Sequence, residues 1–262
     1  MAAQSSGRTH TRILGASDYD EAAYWDEKFA NKKDIGEWLN TGDAIIDVAL
    51  SSLDGRQFDE STGHPRVLHL GPGISKLGSR LRDAFVQRGL QGNSIVNVDF
   101  SAEAVRLGQD LETGLDPTRA MHWLQADLRS WADVSEISCF APVDMILDKS
   151  TSDAIATSAP VAFSSSSDVS DTCEEIQTLV TKGGAITLLP VEVLALHLAP
   201  LARPGAIWIA LSFSATRFEN LPRAMAHWAV VARKALKAPH GHSSPSVHTP
   251  EVFHWLYILK RK

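Results

Sequence analysis

The order of apolar runs and helical patterns predicts an α/β protein with a doubly wound sheet, five parallel strands and then an antiparallel hairpin. Three observations carry this expectation. Short apolar runs at 67–70, 94–98, 121–128 and 143–150 alternate with segments of helical periodicity, as in a parallel sheet covered on both faces. A hydrophobic content of 44% over 262 residues supplies a core for one large domain. Two further apolar runs, 227–236 and 252–261, flank a loop containing Pro and Gly and read as a long hairpin.

The elements follow in order. Residues 1–16 are small and polar and read as a tail outside the domain. In 17–60, Asp18 or Asp20 is placed to cap a helix in which Ala22, Trp25 and Phe29 share a face, and a second helix covers 44–53. The aromatics Tyr19, Tyr24, Trp25, Phe29 and Trp38 form either a staple on the core or a lid over a ligand. After the first strand, Leu77, Leu81 and Phe85 mark one face of a helix. Ser101 is placed to cap a helix over 102–112. Residues 159–170 form a Ser-rich loop, and 170–202 read as largely helical, broken at Gly183, Gly184 and Pro190. Pro204 and Gly205 then end the helix before a fifth strand over 206–214. Trp123, Trp131, Trp208, Trp228 and Trp255 sit in or beside strands, where core packing is their expected role.

The glycine loop after the first strand organises the functional reading. Gly71 and Gly73 let a ligand approach the backbone, and the following helix start offers free N–H groups. The second strand ends on Asp99, where a carboxylate can accept hydrogen bonds from ribose hydroxyls. Asp127 and Asp148 end the next two strands, so three acidic tips stand in a row. A glycine pair is also an ordinary tight turn, and Asp99 could serve as a helix cap. GPGISKLG has its third glycine one position late for GxGxxG, and no GK[ST] is present. A nucleoside cofactor without phosphates fits this loop better than a dinucleotide.

Composition narrows the partners. A formal net charge of −6 with no long basic run argues against nucleic acid. No apolar stretch is long enough to span a membrane, and the N-terminus lacks a signal-like apolar core. Cys139 and Cys173 alone make neither a disulfide framework nor a zinc site. His240, His242 and His248 lie in a Pro/Gly/Ser loop without an acidic or cysteine partner at fitting spacing, so no metal is expected. The expected location is the cytoplasm, with the nucleus as the alternative.

With these elements placed, the chain resembles the seven-β-strand (class I) S-adenosylmethionine-dependent methyltransferases, a Rossmann-like fold. Within them it looks most like the eukaryotic methyltransferase-like group that includes elongation factor 1A lysine methyltransferases. YWDEKF (24–29), LHLGPGISKL (68–77), VNVDFS (96–101), LQADLRSW (124–131), ILDKSTSDAI (146–155) and the closing FHWLYILKR carry the resemblance. It implies a single methyltransferase domain over 17–262, with a helical lid over 17–60 and a substrate roof over 160–189. It implies S-adenosylmethionine as cofactor and S-adenosylhomocysteine as product. Gly71 and Gly73 would border the methionine part, Asp99 would hold the ribose diol, and Phe100 would lie against the adenine. Asp127 and Leu128 would meet the adenine edge, with Trp131 as a further wall. Tyr24 and Trp25 would close over the cofactor, and Asp148 would face the methyl-transfer site. Ser150 departs from the glycine of the group's usual DKGT, and Ile74-Ser75 departs after the loop.

Methyl transfer from a sulfonium needs a general base only when the nucleophile arrives protonated. Asp148 and Asp153 are the candidate catalytic carboxylates, with His227 or His254 as weaker alternatives; Asp153 could equally cap a helix. The acceptor would be a protein side chain, lysine included, or a small molecule with an N, O or S nucleophile. The alternative reading is a methyltransferase-like interaction partner with little or no catalysis.

Overall fold

The computed structural model describes residues 18–31, 37–54, 63–165, 172–239 and 251–262. The 1–16 tail, the 166–170 part of the Ser-rich loop, and His240, His242 and His248 lie outside the described residues. The chain begins with α1 (Ala22–Ala30) and α2 (Asp43–Leu53). Next come β1 (Val67–Leu70), α3 (Leu77–Gln87), β2 (Ile95–Asp99), α4 (Ala102–Glu112), β3 (His122–Gln125) and α5 (Trp131–Glu136). β4 (Val143–Lys149), α6 (Thr151–Ile155), β5 (Val161–Phe163), α7 (Glu174–Gly183), β6 (Ile186–Leu188) and α8 (Pro190–Leu198) follow. β7 (Ala202–Ser212), α9 (Ala224–His227), β8 (Trp228–Lys237) and β9 (Phe253–Arg261) complete it.

Seven strands form one sheet in the order β3-β2-β1-β4-β7-β9-β8. β1 pairs in parallel with β2 and β4, β2 with β3, and β4 with β7. β9 runs antiparallel to both β7 and β8, which makes the expected terminal hairpin. Every residue of β1, β2 and β4 is buried, the condition of strands covered on both faces. Leu68, Leu70, Val96, Val98 and Ile146 pack with Val191, Leu194 and Leu198 of α8. The alternate residues Val67, Ile95, Met145 and Leu147 pack with α2 and with Leu77, Leu81 and Phe85 of α3. Each such side chain contributes roughly 1.5–3 kcal/mol by leaving water.

This topology positions the site. The chain runs outward through β1, β2 and β3, then returns to β4 on the other side of β1. The reversal leaves a crevice beyond the carboxyl ends of β1 and β4.

Three local expectations are corrected. The N-cap of α1 is Glu21, not Asp18 or Asp20; the Glu21 side chain makes no capping hydrogen bond, and its N–H donates to the Asp18 carbonyl at 3.0 Å. Within 170–202, β6 separates α7 from α8 and pairs antiparallel with β5 in a second, two-stranded sheet. Three-residue strands hold too little periodicity to be told from loop. Pro204 and Gly205 lie inside β7, not ahead of it. The β4–β7 register jumps from Val143↔Ala202 to Met145↔Ile207, and this bulge accommodates both Pro204, which has no N–H, and Gly205 at φ 82°.

Candidate functional site

At the end of β1 the backbone turns through Gly71 and Gly73, at φ 50° and 51°. A Cβ on Gly71 would lie 2.4 Å from Thr151 Oγ1, and one on Gly73 would lie 3.0 Å from the Phe29 ring. Packing of the loop between α6 and α1 thus demands glycine, before any ligand is considered. Gly73 N–H donates to Asp99 Oδ2 at 2.8 Å, and Ser101 N–H donates to Asp99 Oδ1 at 2.9 Å. Asp99 is 4% exposed, and burial pushes its carboxyl up to about 6 against the pull of these donors.

Asp26, the acidic residue of YWDEKF, seats α1 on α4. It accepts Ser101 Oγ–H at 2.5 Å and Glu103 N–H at 3.1 Å, while Ser101 Oγ accepts Ala104 N–H as the expected cap. Asp127 follows β3 and is gripped by Arg129, Nη2 to Oδ2 at 2.7 Å and Nε to Oδ1 at 2.9 Å. Burial raises its carboxyl, but the guanidinium and the Arg129 N–H outweigh burial and hold it below the usual range.

A strap over 37–40 closes the other side. Glu37 accepts Ser75 Oγ–H at 2.7 Å, Lys76 N–H at 2.8 Å and the Lys149 ammonium. Trp38 Nε1 donates to Ser150 Oγ at 3.0 Å. Ring contacts of 5.4 to 5.9 Å between centroids knit Tyr19, Trp25 and Trp38 into one aromatic cluster.

These elements enclose one cavity. Gly71, Gly73, Asp99, Phe100, Asp127 and Leu128 all line it, and so do Trp25 and Asp153. Three expected residues do not. Tyr24 stands behind the wall, its ring on Tyr19 and Trp25 at 5.6 and 5.4 Å. Asp148 is fully buried and lies outside the lining. Nor does Trp131 line the cavity; its ring packs on His197 at 5.5 Å. Among the described residues of 160–189, none lines it; Phe163, Cys173, Ile176 and Leu188 form a separate apolar cluster. Sequence reasoning missed Glu37, Lys149, Arg129 and Arg217. Lys149 alone left a signal, a cation ending an apolar strand.

No family model matches the chain. It is 27% identical over 248 residues to the methyltransferase srdJ of Neurospora crassa, covering 94% of this chain and 85% of that one. A S-adenosylmethionine-dependent methyltransferase from Anabaena variabilis superposes with a TM-score of 0.54 at 10% identity, covering 97% of this chain and 99% of that one. A protein solved in work on the conversion of a disulfide bond into a thioacetal group during echinomycin biosynthesis superposes with a TM-score of 0.57 at 14% identity, covering 92% and 93%. The fold is the Rossmann-like methyltransferase fold.

On this methyltransferase fold the four groups considered as bases occupy different settings. Asp153 is 3% exposed, and both its oxygens are taken. Oδ2 accepts Ser150 Oγ–H at 2.6 Å and Phe213 N–H at 3.1 Å; Oδ1 accepts Ser212 Oγ–H and, at 2.7 Å, the Arg217 guanidinium. Asp148 Oδ1 accepts Ser152 N–H at 3.1 Å, and its carboxylate is buried beside the Ser152 side chain. Burial pushes Asp148 up to about 6. His227 and His254 are both lowered by burial, and neither lines the cavity.

Proposed function

We propose that the protein is a S-adenosylmethionine-dependent methyltransferase acting on a small organic acceptor. One observation carries this reading: Asp99 and Asp127, from different strand tips, open onto the same cavity as the glycine loop. The cavity's chemistry suits that cofactor. The Gly73 N–H, which a phosphate would need, is spent on Asp99, and the lining cations Arg129 and Lys149 are each tied to a carboxylate. What remains is a buried carboxylate for a diol and aromatic walls. The name of the Neurospora crassa relative agrees with the reaction class.

When bound, the cofactor supplies a methyl group already activated on a sulfonium. The chain supplies alignment and a dry site. Asp99 accepts the ribose hydroxyls, Phe100 and Leu128 flank the adenine, and Asp127, oriented by Arg129, faces the adenine edge. Gly71 and Gly73 border the methionine part, and Trp25 closes the N-terminal side. Asp153 positions Ser150 and Arg217, and Asp148 sits beneath the loop as a structural group.

Calorimetric titration with S-adenosylhomocysteine tests the reading. Binding that Asp99→Ala weakens at least tenfold supports it. No heat and no thermal shift at millimolar ligand would replace it with a methyltransferase-like interaction partner.

A further inference from the structure

Lys149 is an unexpected wall for an apolar cavity. Its side chain is 5% exposed, it ends β4, and it lines the cavity. Its ammonium donates to the Glu37 carboxylate and to the Asn40 carbonyl at 3.2 Å. An ammonium has three N–H donors; the third has no partner among the described residues. Glu37 itself stays out of the lining, and Ser75 and Lys76 share its charge. The other charged neighbours are quiet. His69 of β1, buried and pushed down to about 4, is neutral near pH 7, and Asp148, next in the strand, faces away from the cavity lining.

Much of the lining that Lys149 shares consists of rings and alkyl groups. Tyr19 and Trp38 line the same cavity, with Phe213, 57% exposed, and Ile74, 43% exposed, as its solvent-facing apolar members. Each lining carboxylate already faces a cation or a set of donors. Asp153 is saturated, Asp127 is held by Arg129, Asp20 lies 3.8 Å from Arg129, and Asp99 belongs to the ribose end. A lysine acceptor would arrive as a cation and meet a like charge. An acidic hydroxyl would find a donor and an opposite charge.

Resting on the methyltransferase reading, we infer that the acceptor is a flat apolar small molecule with an acidic hydroxyl, a phenol or an enol, whose oxygen takes the third N–H of Lys149. The hydroxyl proton leaves to water before transfer, favoured by the ammonium. The acceptor oxygen then forms the new C–O bond with the methyl carbon as the C–S bond breaks, and that electron pair returns to sulfur. Lys149 keeps its proton, held by Glu37, throughout.

The test uses 4-nitrophenol and 2-naphthol as probes on the full chain saturated with S-adenosylhomocysteine, so that no turnover is needed. Absorbance reports the ionisation of bound 4-nitrophenol as pH is stepped. It should ionise about one pH unit or more below the free probe, with Lys149→Arg retaining the shift. Lys149→Met should abolish the shift and weaken both probes about tenfold, while binding S-adenosylhomocysteine within threefold of wild type. Should the Met variant not fold, Glu37→Gln decides: the ammonium loses its counter-charge, so the probe must ionise lower still, and an unchanged or higher value overturns the inference. It is also overturned if neither probe binds at millimolar concentration, or if labelled methyl enters lysine in an extract. Failure of wild type to bind S-adenosylhomocysteine would instead sink the methyltransferase reading itself.

Discussion

Trp38 Nε1 and Ser150 Oγ meet at 3.0 Å, joining the strap to the tip of β4. Ser150 sits at φ 68°, in left-handed backbone, and passes its own proton to Asp153 Oδ2 at 2.6 Å. The serine that departs from a glycine-bearing motif is therefore held in a glycine conformation by two hydrogen bonds. Left-handed backbone costs a non-glycine residue about 1–2 kcal/mol, and each hydrogen bond returns about 1 kcal/mol. Ser150→Ala keeps the strain and loses both bonds, so we expect a loss of about 2 kcal/mol. Ser150→Gly loses the bonds but sheds the strain, and should cost about 1 kcal/mol or less. Urea unfolding of the two variants checks this order.

Asp99 predicts a pH dependence for the nucleoside. Its folded value is about 6, above the ordinary 3.8, because burial disfavours the charge. Hydroxyl donors prefer the ionised carboxylate, so S-adenosylhomocysteine should bind more tightly as pH rises from 5 through 6 and level off above 7. Asp99→Asn should bind weakly and without that slope in calorimetry.

Asp148 predicts the opposite sign for stability. Its raised value means the folded chain holds this proton more tightly than the unfolded chain. The resulting stability is complete below about pH 4 and is lost as pH rises through about 6. Asp148→Asn removes the buried charge and keeps a polar group beside Ser152. We expect its melting temperature to exceed wild type by a few degrees at pH 8, with the excess shrinking through pH 5 and vanishing only below about pH 4.

Gly71 and Thr151 should be energetically coupled. Gly71→Ala meets the Thr151 side chain and adds left-handed strain, costing about 3 kcal/mol in all. Thr151→Ala removes the obstacle but also the 2.8 Å hydrogen bond to the Leu70 carbonyl. In a double-mutant cycle the pair should cost about 1 kcal/mol less than the sum of the single changes.

How much of this was legible in the chain depended on whether the interaction was local. Gly71, Gly73, Asp99 and Asp127 could be placed because a strand's period and end are written in consecutive residues. A strand tip gives a height, however, and not a face. Successive side chains alternate across the sheet, so Asp148 is buried while the next residue, Lys149, lines the cavity. The pairs Glu37–Lys149 and Asp26–Ser101 span 112 and 75 positions, and no local pattern announces such partners. Asp153 was legible as an acid near the site, but the Arg217 that occupies it lies 64 positions away. The small β5–β6 sheet escaped because each strand has three residues.

Chain termini are readily trimmed by proteases, yet here Asp26 of α1 seats α4, the helix that begins just after the strand ending on Asp99. A clipped form starting after Asn31 would keep its seven-stranded sheet while losing its hold on the nucleoside. A preparation with normal circular dichroism and no ligand affinity therefore calls for an intact-mass measurement before any conclusion about activity is drawn.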